Sequence, residues 1–414
     1  MEQNSHLFYS PPVRGKIGSL HSGSYLCFDA LFILFFFFLP EAALDTAQRF
    51  LSSSLKKKLF AARGVNDRDV LFVDSGTSAL ALALEIIGVK KGEEVYFSSN
   101  TCGAVCNAVL ASGGIPVFLG VRDDGLTDIE SLSRIIDIKR GRALILTNTY
   151  GLLEDVEYAQ QQAKKFNLFI INDLAQVNVV SNDFIKVCTQ ADISVLSFGP
   201  EKYFVGLGAG ALVYKSSLNV QFKRPEMELQ TNIEVIKLFW SRIKYYLTFY
   251  VFGSWFYRPL LKIGMVFKLR KEKDIENIET RTIEPKFANP IILLGIYLRA
   301  YFFGRRRQKE LRRYSLFRNN VDPCILVGTS SEDYVPPCLT IRTSVTQRFS
   351  LAKILADQGF QTTWNYIPLY LLRPYRGYRR IQGSDMWMGV LQIPFRYLSE
   401  KKIITLVRIL NHVI

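Results

Sequence analysis

Short apolar runs alternate with stretches of good helix formers through the first half of the chain, and this constrains the fold more than any other feature. Residues 71–73, 94–97, 116–119, 143–146, 168–171 and 193–198 read as strands. Residues 79–87, 104–112, 128–136 and 155–167, which lie between strands, read as helices. Such alternation means βαβ units, and hence a parallel sheet with right-handed crossovers. The strands are apolar on both sides, as expected when helices cover both sheet faces.

The chain has 414 residues, 49% of them apolar and 21% charged. That is enough for a large core, divided into one large and one small domain, and it excludes a disordered chain. The six cysteines, at 27, 102, 106, 188, 324 and 338, show neither zinc spacing nor a disulfide framework. No metal site is expected, and free thiols fit a reducing cytoplasm. Only three histidines occur, at 6, 21 and 412, which argues against histidine-based acid–base chemistry. The formal net charge is +15, and residues 222–313 carry 20 Lys/Arg against 9 Asp/Glu. A localised basic region points to an anionic partner: a membrane surface, a sugar nucleotide diphosphate or nucleic acid. No nucleic-acid-binding motif accompanies it, so nucleic acid is set aside.

Four regions follow. Residues 1–45 are an atypical N-terminal segment with an apolar run at 30–39, too short to span a bilayer. Arg14 and Lys16 before it and Ala42-Ala43 after it loosely suggest a signal peptide, but the upstream stretch is too long and polar. A helix buried in the fold, at a subunit contact or on a membrane face are the readings left. Residues 46–220 form the large α/β domain, opening with a helix at 46–65. Residues 221–285 are an aromatic and basic helical insert. Within it, 229–270 reads either as a helix lying in a membrane interface or as a lid or dimer contact. Residues 286–414 form a smaller α+β domain, with helices at 290–313, 350–358 and 401–413 and strands at 339–343 and 392–395.

The polar residues that follow the strands carry the chemistry. Strand 168–171 runs into Asn172-Asp173-Leu174-Ala175-Gln176, and strand 193–198 into Gly199-Pro200-Glu201-Lys202. Asp173 and Lys202 therefore stand at strand ends, where open α/β sheets bind ligands. A Schiff-base lysine with a carboxylate for a pyridinium nitrogen is what pyridoxal phosphate needs from a protein. The same pair could equally be an ordinary ion pair. Strand 71–73, the turn Asp74-Ser75-Gly76-Thr77-Ser78 and the helix after it form a phosphate cradle, because the first-turn N–H groups have no partner within the helix. Ser and Thr there would also serve simply as caps.

From about Leu71 to its end the chain resembles the DegT/DnrJ/StrS family of sugar aminotransferases, fold type I of the pyridoxal-phosphate enzymes. Ser75-Gly76-Thr77-Ser78-Ala79-Leu80 is similar to that family's SGTxAL turn, and Ile115-Pro116-Val117-Phe118 to its xPVF strand. Tyr150-Gly151, Asn172-Asp173-Leu174-Ala175-Gln176 and Leu196-Ser197-Phe198-Gly199-Pro200-Glu201-Lys202 resemble its YG, EDAAQ and FSFxxxK segments. Gly359-Phe360 with Asn365-Tyr366-Ile367-Pro368-Leu369-Tyr370 resembles its C-terminal GI…HYPxPLH region. The resemblance implies an α/β fold: a mostly parallel, seven-stranded-type sheet between helices, plus the small C-terminal domain. It implies pyridoxal 5'-phosphate as cofactor. Lys202 would bond the cofactor aldehyde and move protons, and Asp173 would pair with the pyridine nitrogen. Gln176 would approach the ring hydroxyl, while Gly76, Thr77 and Ser197 would hold the phosphate. Two departures stand out. Cys102 falls where the family places an aromatic over the ring, and a thiol stacks less well. Asn172 replaces the more usual acid before Asp173.

The resemblance implies transfer of an amino group from glutamate to a keto sugar, with a nucleotide-linked sugar expected, in amino-sugar or surface-polysaccharide biosynthesis. A cytoplasmic homodimer is expected, with possible peripheral contact at the inner membrane face through 229–270. The alternatives are a membrane-associated enzyme with a lipid-linked or non-sugar acceptor, and a non-catalytic paralogue that binds the cofactor.

Overall fold

A computed structural model describes residues 39–60, 67–137, 139–177, 187–199, 202, 206–220, 227–246, 282–328, 335–336, 338–360, 362–363, 366–395 and 398–413. The apolar run at 30–38 and residues 247–270 of the insert lie outside the described residues.

Seven strands form the main sheet: β1 (Arg68–Val73), β2 (Glu94–Ser98), β3 (Ile115–Leu119), β4 (Gly141–Leu146), β5 (Phe169–Asp173), β6 (Ile193–Ser197) and β7 (Gly210–Lys215). Their order is β1-β7-β6-β5-β4-β2-β3. Strands β2 to β6 pair in parallel, while β7 runs antiparallel to both β6 and β1. The sequence reading missed β7, because the glycine-rich stretch before it masks the strand start. Since β7 is reversed, Gly210 pairs with both Val73 and Ser197. The ends of β1, β5 and β6 therefore share one edge with the start of β7.

Helices α1 (Glu41–Leu59), α2 (Gly76–Ile86), α3 (Gly103–Ala111), α4 (Leu132–Ile135), α5 (Val156–Lys165) and α6 (Asn232–Tyr246) accompany the sheet. One face is packed by Leu55 of α1, Ala163 of α5 and Val235 of α6, the other by Leu84 of α2 and Val109 of α3. Helix α1 starts five residues before the expected 46 and ends at Leu59, with extended Pro40 as its N-cap. The helix expected at 128–136 is a 3₁₀ turn, Ile129–Ser131, followed by α4.

The long helix α7 (Pro290–Arg318) begins in the core of the main sheet through Ile292 and Ile296. It ends in a second core through Tyr314 and Phe317. That second core is built on the antiparallel pair β8 (Cys338–Arg342) and β9 (Val390–Pro394) with helices α8 (Val345–Asp357) and α9 (Glu400–Val413). Helix α8 begins five residues before the expected 350 because Ser344 and Gln347 form a capping box. Gly359 follows it at φ +83, the left-handed position expected of a helix-ending glycine. Among the described residues no helix is long and apolar enough to cross a membrane.

Between the two sheets runs an irregular strap, described at residues 363 and 366–384. Thr363 exchanges hydrogen bonds with Gln392 of β9. The strap then crosses the strand-end edge, where the Leu369 N–H donates to the Ser99 carbonyl. It continues along β3, the open edge of the sheet, with Phe118 N–H donating to Arg379 O and Ile381 N–H to Phe118 O. Covering an exposed strand edge in this way removes a site for unwanted pairing.

Candidate active site

The turn from β1 into α2 is shaped by close backbone approach. Ser75 is the N-cap, and its Oγ accepts from the Ser78 N–H at 3.0 Å. A Cβ on Gly76 would lie 2.8 Å from Ser197 Cβ, and one on Gly210 would lie 2.4 Å from the Ser75 carbonyl oxygen. Both positions therefore require glycine. The result brings Gly76, Thr77 and Ser197 to one corner, with the N-terminus of α2 and its favourable dipole beside them.

Asp173 ends β5 and is only 9% exposed. Its Oδ1 accepts from the Ala175 N–H at 2.9 Å. Burial pushes its carboxyl above the ordinary carboxylate range, while the Ala175 N–H and the charge of Lys202 pull the other way. Lys202 therefore lies within electrostatic reach of Asp173. It is held by a hydrogen bond from its N–H to Gly199 O at 3.1 Å. A Cβ on Gly199 would lie 3.6 Å from Lys202 Cγ and 3.7 Å from Ser197 Oγ. Asp173, Lys202 and the corner of Gly76 and Ser197 thus lie near one another at the strand-end edge.

Asn172 is fully buried and does not act as a second acid. Its Oδ1 accepts from Asn148 Nδ2 at 2.6 Å, and the same amide donates to the Asp173 carbonyl at 3.0 Å. An acid here could accept that bond too, but Asn172 also donates through Nδ2 to Val187 O at 3.2 Å, which a carboxylate cannot do. Cys102 is the N-cap of α3 without a side-chain capping bond. The strap residue Tyr375 lies against α3, where its hydroxyl donates to Asn107 Oδ1 at 2.8 Å.

Gln176 is engaged by the protein itself. Its Oε1 accepts from the Tyr150 N–H at 3.2 Å, and its Nε2 donates to Tyr366 Oη at 2.9 Å. Sequence reasoning noted Tyr150 and Tyr366 only as parts of motifs and gave Asn148 no role. Asn148 and Tyr150 have φ of +41 and +63, and no residue-type signal announces a left-handed tyrosine.

The architecture is that of the fold type I aminotransferases. Residues 55–224 match the model of the DegT/DnrJ/EryC1/StrS aminotransferase family. Over 142 residues it is 33% identical to a dTDP-3-amino-3,4,6-trideoxy-alpha-D-glucose transaminase of Micromonospora megalomicea subsp. nigra, covering 34% of this chain and 38% of that protein. Over 150 residues it is 32% identical to a 3-oxo-glucose-6-phosphate:glutamate aminotransferase of Bacillus subtilis, covering 36% of this chain and 33% of that protein. The matched parts are thus well under half the length of these curated relatives. The structure of NtdA from Bacillus subtilis with bound PMP matches with a TM-score of 0.66 at 19% identity, covering 99% of this chain and 88% of that one. At that identity the likeness concerns the fold.

Proposed function

We propose that the protein is a pyridoxal 5'-phosphate-dependent aminotransferase that moves an amino group from glutamate to a keto sugar, with nucleotide-linked sugars as the acceptor class. The observation that carries this reading is the buried Asp173 carboxyl under the influence of Lys202, next to the corner made by Gly76 and Ser197. These residues fit the cofactor: a carboxylate for the ring nitrogen, an amine for the aldehyde, and a helix N-terminus for the phosphate. Thr77 and Ser197 would add hydroxyl contacts to the phosphate. When bound, pyridoxal phosphate supplies the electron sink that amino-group transfer requires. The relatives' names support a sugar acceptor, and the basic character of residues 222–313 suits a diphosphate. The proposed setting is amino-sugar or polysaccharide biosynthesis in the cytoplasm, by a homodimer.

Purified protein given pyridoxal phosphate should acquire a visible absorption band that bleaches on adding glutamate. The Lys202→Ala variant should lose transfer by at least about 10⁴-fold. A band that responds to no amino acid would instead identify a binding protein.

One observation favours an added membrane contact. On α6, Ile233 and Trp240 are each 62% exposed, with Lys237 between them at helical spacing. An apolar and basic stripe suits the surface of an anionic bilayer. Flotation with anionic vesicles should weaken in Trp240→Ala, and equal flotation of both proteins would exclude this contact.

A further inference from the structure

Three hydrogen bonds close a ring between the sheet edge and the strap. The Tyr150 N–H donates to Gln176 Oε1 at 3.2 Å, and Gln176 Nε2 donates to Tyr366 Oη at 2.9 Å. The backbone N–H of Tyr366 bonds back to the Tyr150 hydroxyl oxygen. Asn100 Nδ2 donates to that same oxygen at 3.0 Å. Tyr150 is buried, with φ of +63, a conformation that a bulky residue keeps only where its surroundings fix it. Strain held from both sides marks a place where geometry matters more than local stability.

Gln176 stands three residues after Asp173. A glutamine amide offers two N–H donors and two lone pairs. The ring uses one donor and one lone pair, so the same amide can hold Tyr366 and still donate to a ligand beside Asp173. We propose that Gln176 is a positioning residue: it fixes Tyr366, and with it the strap, against the end of β5, so that the strap forms one wall of the substrate site. This rests on the aminotransferase reading and adds to it that the strap wall is set from the sheet edge through one amide.

The test uses the full chain as wild type, Gln176→Leu, Tyr366→Phe, the double variant and Gln176→Glu. Hydrogen–deuterium exchange follows the amides of Leu369, Leu371 and Leu372, which bond to Ser99, Pro368 and Leu369. A pH titration follows the visible band of added pyridoxal phosphate. Each single variant should speed exchange about five-fold, the equivalent of one net hydrogen bond. The double variant should be no faster than the faster single, since both break one ring. Gln176→Glu should restore slow exchange, because its carboxylate accepts from both the Tyr150 N–H and the Tyr366 hydroxyl. Gln176→Leu and Tyr366→Phe should shift the midpoint of the band in the same direction. Unchanged exchange in Gln176→Leu, additive effects in the double variant, or an unmoved midpoint would each overturn the proposal. Wild-type protein that takes up no pyridoxal phosphate overturns the cofactor reading instead, whatever the exchange shows.

Discussion

The strand-end edge and the strap face the same site but are built in opposite ways. At the edge, the parallel β5–β6 pair sets Asp173 beside the end of β6, and the reversed strand β7, pairing Gly210 with both Ser197 and Val73, brings in the Gly76 turn, so backbone pairing places all three. Among its described residues the strap has only short 3₁₀ turns, Leu369–Leu371 and Arg373–Tyr375, and is held by separate polar bonds to Ser99, Asn107, Glu94 and Phe118. A register is cooperative, whereas single hydrogen bonds are each worth about 1 kcal/mol net. Damage at the edge should therefore be all-or-none, and damage in the strap graded.

The same substitution at two glycines tests this most sharply. Gly210→Ala drives a methyl to 2.4 Å from the Ser75 carbonyl, so it should cost about 3 kcal/mol and abolish cofactor uptake. Urea unfolding and the visible band would measure both effects.

The second prediction concerns Glu154, buried beneath the loop that carries the far end of the strap. Its Oε1 accepts from the N–H and Oγ1 of Thr127 at 2.9 and 2.6 Å. Burial pushes its carboxyl up from 4.5 to about 7, against the pull of the Thr127 bonds and Arg122. The native protein therefore keeps a proton that the unfolded chain has already released. The stability this gives is complete below about pH 4.5 and is lost as pH rises to about 7. Across that window the wild type should lose about 3 kcal/mol relative to Glu154→Gln, whose amide oxygen keeps both Thr127 bonds. Parallel pH profiles of the two proteins would contradict this.

Smaller effects belong to the strap. Arg379 Nη1 bonds to buried Glu94 at 2.6 Å, but Arg140, at 3.0 Å, shares that carboxylate. Arg379→Ala should cost about 1 kcal/mol in a thermal melt and leave the visible band in place. Gly377→Ala meets nothing within 4 Å and should change stability by less than about 0.5 kcal/mol. A large loss there would erase the contrast with Gly210.

The same contrast explains what the sequence could disclose. Apolar runs ending in polar groups revealed the strands, and parallel pairing of β5 with β6 accounts for Asp173 standing beside Ser197; the Ser75-Gly76-Thr77 turn reaches that edge only through the antiparallel strand β7. Strand β7 stayed hidden behind the Gly206-Leu207-Gly208-Ala209-Gly210 stretch, where Ala209 takes φ +75 without being glycine. The start of α8 was missed because its signal is a capping box rather than an apolar period. The roles of Tyr150, Gln176 and Tyr366 depend on a left-handed backbone and on bonds between residues up to 190 positions apart. No local pattern encodes such bonds.

Borohydride reduction of the protein loaded with pyridoxal phosphate, followed by peptide mass mapping, tests the central claim most directly. The cofactor label should appear on the peptide containing Lys202 and vanish in Lys202→Ala. A label on another lysine, or none at all, would contradict the assignment of Asp173 and Lys202 to one cofactor site.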